Sequence, residues 1–182
     1  MIRRIITFIL PTLLAAFNAG AQQSPAGAAL PSPEEFINSI DTTVIPKDVK
    51  HYYLVAGTDT CRFVKYNYDD WIQYHLKEPL PINILNELSG KVYLSRYPYL
   101  WKQRGLTKAI CVSHRQADSL LDNTKNVIFS FSLPQFTDNG QYAVIDCNFI
   151  CGPVCGQGTT YIFRLTTRGE WKLIGQYVNW TS

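Results

Sequence analysis

The chain has 182 residues, 17 Lys and Arg against 14 Asp and Glu, three His, five Cys and 46% hydrophobic residues. That length suits one domain with a hydrophobic core and leaves little room for two. The basic side chains are scattered singly among carboxylates rather than gathered into a patch, which excludes nucleic acid as the expected partner.

At the start, Arg3 and Arg4 precede an apolar run from Ile5 to Phe17, and the small residues Ala19-Gly20-Ala21 follow. This is the order of a secretory signal peptide over residues 1–21. The run is shorter than the roughly 20 residues of a membrane span, Pro11 would interrupt a buried helix, and no Cys follows to carry a lipid. The expectation is a periplasmic or secreted protein starting near Gln22, with no membrane span after cleavage. Loss of Arg3 and Arg4 leaves 15 basic side chains against 14 acidic ones, a net charge of +1. Residues 22–32 are small, polar or Pro and read as a flexible leader, which assigns 33–182 to a single globular domain.

Ser32-Pro33-Glu34-Glu35 supplies an N-cap, a first-turn Pro and two first-turn carboxylates, predicting a helix to about Asp41. Residues 51–56 and 60–66, rich in aromatic and β-branched side chains and separated by Gly57-Thr58-Asp59, predict a hairpin. Trp71, Ile72, His75 and Leu76 recur at helical spacing, and a second helical pattern runs from Pro81 to an end at Gly90. Ala109 to Val112 is a candidate strand ahead of a capping box, Ser113-x-x-Gln116, that opens a helix to about Asn123.

The last third alternates as β-strands do. Val127, Phe129 and Phe131 share one face; after Thr137-Asp138-Asn139-Gly140, residues Ala143, Ile145, Cys147, Phe149 and Cys151 alternate with Tyr142, Val144, Asp146 and Asn148, and the apolar set should face the core. Tyr161, Phe163 and Leu165 form another strand, and Trp171 to Trp180 the final one beyond a Gly169 turn. The fold class is α+β: a C-terminal antiparallel β-meander packed with short helices from the N-terminal half.

Between two of these strands lies Cys151-Gly152-Pro153-Val154-Cys155-Gly156-Gln157-Gly158, where Gly152, Pro153, Gly156 and Gly158 mark a constrained loop. The loop, followed by Gly169-Glu170-Trp171-Lys172, resembles uncharacterised secreted proteins of Bacteroidetes-type bacteria with a Cys-Gly-x-x-Cys-Gly-x-Gly loop before a closing hairpin. The resemblance covers about residues 129–180 and implies no activity. The closing hairpin also resembles cone-shaped NTF2-like domains, an analogy of fold alone.

In an oxidising compartment a Cys151–Cys155 disulfide is the leading reading of this loop. A redox-active pair is the alternative, although the helix N-terminal Cys-x-x-Cys of thioredoxin-like sites is missing. Metal binding by Cys147, Cys151 and Cys155 is disfavoured because Cys147 and Cys151 share an apolar strand face. His51, His75 and His114 lack the spacing of a zinc site, so no metal and no cofactor is expected. Cys111, His114 and Asp118 read better as strand and helix residues than as a catalytic triad, and Asp69-Asp70 as a helix cap rather than an acid/base pair. No catalytic residue is assigned. Tyr93, Tyr97, Tyr99 and Trp101 either fill the core or offer flat surfaces to a sugar or peptide. The functional expectation is an exported, non-enzymatic domain that binds a peptide, a glycan or an envelope protein, with an envelope enzyme acting by thiol–disulfide chemistry at Cys151 and Cys155 as the alternative.

Overall fold

The computed structural model describes residues 29–61, 76–94, 98–122, 126–152 and 154–182. The signal-peptide segment, Trp71, Ile72 and His75, Tyr97 and Pro153 lie outside the described residues, as does most of the second strand of the expected N-terminal hairpin; Leu76, expected in the same helical pattern, instead forms an isolated antiparallel bridge with Gly175. Helix α1 (Pro33–Val44) opens on a capping box in which Ser32 and Glu35 bond each other's backbone N–H. It runs one turn further than Asp41 because Ile45, in extended conformation, still donates its N–H to the Asp41 carbonyl. Strand β1 (Tyr52–Val55) follows, then helix α2 (Ile82–Leu94). That helix continues through Gly90, which lacks the positive φ that would turn the chain out of a helix.

A short 3₁₀ turn (Gln103–Gly105) leads into β2 (Ala109–Val112) and α3 (His114–Leu121), whose Ser113/Gln116 capping box forms as expected. Strands β3 (Ile128–Phe131), β4 (Gln135–Phe136), β5 (Tyr142–Gly152), β6 (Cys155–Leu165) and β7 (Trp171–Thr181) complete the described elements. β3 and β4 both pair with β5 and are separated at Leu133-Pro134, where proline has no N–H for the ladder. The β4–β5 and β6–β7 turns carry Gly140 at φ 66° and Gly169 at φ 79°, a left-handed conformation that suits glycine.

These strands make one seven-stranded sheet in the order β2-β1-β3-β5-β6-β7, with β4 beside β5. From β3 onward the pairing is antiparallel, the expected meander, while β1 lies parallel to both β2 and β3. The expected hairpin between residues 51–56 and 60–66 is therefore corrected: a strand has two edges, and both edges of β1 are taken.

The sheet is covered on both faces. On one, Phe36 of α1 packs edge-on against Phe136, Phe163 and Trp171, in a cluster with Leu54, Phe131, Ala143, Ile145 and Cys147. On the other, Leu85 and Leu88 of α2 meet Val144, Ile162 and Ile174, and Ala117 of α3 meets Val55, Val112 and Ile128. Alternation places the expected apolar set of β5 on the α1 face. Val144, Asp146 and Asn148, on the opposite face, are buried as well. The outer edge of β2 is closed by one side chain, since Gln103 donates to the Ala109 carbonyl at 2.8 Å and accepts from the Cys111 N–H at 2.7 Å, occupying groups that an edge strand otherwise offers to another chain.

Candidate functional site

Among the described residues, an opening lies on the α1 face. Helix α1 crosses the sheet with its N-terminal half on Phe163 and Trp171 and stops at Val44, short of the aromatic end formed by β1, β3, β5 and β6. The chain then turns through Pro46, Val49 and His51 before entering β1, and a cavity of about 490 Å³ is left between this turn and the sheet. Its floor is Tyr52 of β1, Phe129 of β3, Cys147 and Phe149 of β5, and Thr159 and Tyr161 of β6; Tyr53, Asn126 and Val127 complete one side. The rings pack on one another, with Tyr52 edge-on to Phe129 at 5.3 Å and Phe129 tilted against Phe149 at 6.2 Å. Pairing shifts register between Gly158 and Thr159 in the β6–β7 ladder and between Ile150 and Gly152 in the β5–β6 ladder. Such irregularities bend strands and increase twist next to binding sites.

The titratable groups in this floor are held neutral. Burial, reinforced by the neighbouring Asp146 carboxylate, pushes the Cys147 thiol far above its ordinary value. Burial, with the nearby Asp41 charge, does the same for the Tyr52 phenol. Tyr161 is pushed up to about 12 by burial and by Cys147, against the opposing hydrogen bond of Thr159. Thr159 accepts a hydrogen bond from Gln157 Nε2 at 2.9 Å. A thiol that stays protonated is a poor nucleophile, so the chemistry available here is apolar contact and neutral hydrogen bonding.

Cys151 and Cys155 are joined by a disulfide with Cα atoms 5.1 Å apart, bridging the turn from β5 to β6 two residues beyond Phe149. The turn is shorter than expected. Gly156 and Gly158 belong to β6 rather than to a loop, while Gly152, at φ 151°, makes the bend. The two strand glycines lie under the indole of Trp180, whose Nε1 donates to Asn148 Oδ1 at 3.1 Å. Asn148 in turn donates to Asp59 Oδ2 at 2.8 Å, and Ser130 donates to the same oxygen at 3.1 Å. Beside this chain, buried Asp146 accepts from Thr160 and lies 3.6 Å from the Cys61 thiol, and Asn179 donates to Thr160. This polar strip runs between α2 and α3 on the face opposite the cavity.

Of the four aromatic candidates, Tyr99 and Trp101 pack on each other, and Tyr97 lies outside the described residues. Trp101 is buried and packs edge-on against Tyr99 and Phe131. Tyr99 donates its hydroxyl to buried Glu34 at 2.9 Å, and the same carboxylate oxygen accepts the Lys102 N–H at 2.8 Å. The Tyr99 hydroxyl and the Lys102 N–H thus fasten α1 to the 98–105 segment, while Trp101 packs that segment onto β3. Tyr93 is in the last turn of α2. Cys111 is half-buried, with its thiol raised by burial, while His114 and Asp118 lie on α3. Among the described residues, no three His, Cys, Asp or Glu side chains gather as a metal site, and no helix is long and apolar enough to cross a membrane. The cavity aromatics Phe129 and Phe149 were legible as core positions; that their end of the core stays open follows from where α1 stops. No family model, curated protein or solved structure matches the chain.

Proposed function

We propose that the protein is an extracytoplasmic, non-enzymatic binding domain whose ligand enters the cavity between α1 and the sheet. The cavity carries this reading: its volume falls in the roughly 300–1,000 Å³ range of small-ligand sites, and its wall combines aromatic and aliphatic surface with a few polar groups. The placement outside the cytoplasm is supported by the signal-like first 21 residues, by the Cys151–Cys155 bridge, since such bridges persist in oxidising compartments, and by the resemblance of the last third to secreted proteins. The bridge acts as a brace, joining the strands whose Phe149, Thr159 and Tyr161 line the cavity. The Cys147 thiol, held protonated by burial, argues against covalent chemistry in the same wall.

Titration with N-phenyl-1-naphthylamine, a neutral dye that fluoresces in apolar surroundings, tests the reading. Saturable binding is expected, and Val49→Trp, which places an indole in the half-buried rim, should weaken it roughly tenfold. Absence of saturable binding, or equal affinity in the folded variant, would contradict the cavity as the site.

A further inference from the structure

Resting on the reading of this cavity as a binding site, we infer that the group it admits is uncharged: the apolar body of a small neutral amphiphile whose hydroxyl or carbonyl meets Thr159 or Tyr161 of β6. Among the described lining residues there is no Lys, Arg, Asp or Glu, and His51 stands at the exposed rim. Cys147, Tyr52 and Tyr161 remain protonated at neutral pH, so this wall carries no fixed charge. An ionised carboxylate brought against it would lose its hydration with no cation to replace the water. A single hydroxyl or carbonyl has a milder requirement. It needs one or two hydrogen bonds, which a threonine hydroxyl and a phenol can supply. A sugar ring is disfavoured by the same reasoning, because each of its several hydroxyls needs a partner and most of the wall is ring and aliphatic carbon. The size and chemistry of the wall thus favour one class of occupant over the charged or polyhydroxylated ones.

Displacement of bound N-phenyl-1-naphthylamine by 1-decanol and by decanoate, at neutral pH, separates these classes. Decanol is expected to displace the dye from the native protein at a concentration roughly tenfold below that of decanoate. Water solubility differs between the two competitors equally for any protein, so the deciding measurement is the same ratio in Val127→Arg. Val127 lines the cavity with 37% of its surface exposed, so the longer side chain can be accommodated while placing a cation at the wall. The ratio should move roughly tenfold toward decanoate. An unchanged ratio in Val127→Arg, or decanoate displacing as well as decanol from the native protein, would overturn the inference while leaving the cavity as a binding site. Failure of the dye itself to bind would remove the binding reading, and this inference with it.

Discussion

Gly158 has no space for a side chain: a Cβ built there would lie 2.0 Å from Trp180 Nε1 and 2.3 Å from Asn148 Oδ1. At Gly156 the same atom would meet the far edge of the indole at 3.0 Å. The two glycines are thus required by a tryptophan more than twenty residues away, not by turn conformation. Gly158→Ala should cost about 1–3 kcal/mol through overpacking, measured by urea denaturation. In a Trp180→Ala background the added cost should fall, because the indole contacts are gone and the Asn148 amide, no longer held by the indole N–H, can shift away from the added methyl. Equal costs in the two backgrounds would contradict the close-approach explanation.

At the scale of elements, what could be read from the sequence was whatever depended on neighbours in the chain. Ser113 and Gln116 form their box three residues apart, Gly140 and Gly169 occupy turns flanked by alternating strands, and Ala109 to Val112 is a strand with the expected bounds. The hairpin assigned to β1 failed because alternation identifies a strand without naming its partner; the partners came from residues 109–112 and 128–131 in parallel register. Tyr99 and Trp101 had the composition of an interface, yet buried Glu34, more than sixty residues away, takes the Tyr99 hydroxyl into the core. The cavity was illegible for a related reason. Phe129, Cys147 and Phe149 could be placed on one face, but their freedom from cover depends on α1 ending at Val44 and on the path of residues 46–51, which no local pattern encodes.

For the whole molecule, buried acids from β1, β5 and β6 make stability depend on pH. Cys147, Tyr52 and Tyr161 each have a folded-state pKa above the ordinary value. The stability they contribute is therefore complete below the ordinary value and is lost as pH rises through the folded one. The loss should begin near pH 9.0, the ordinary value for the thiol, and steepen above 10.0 as the phenols join it. Urea midpoints from pH 8 to 11 should fall along that course, and Cys147→Ala should flatten the stretch between 9 and 10; a profile unaffected by the substitution would show that the thiol is not held in an apolar wall. The central claim, that this wall receives a ligand, is tested most directly by a crystal structure of the protein grown with N-phenyl-1-naphthylamine. The account predicts the naphthyl ring against Phe149 and Tyr161 under the Pro46–His51 turn, whereas a dye bound elsewhere, with the cavity filled only by water, would contradict it.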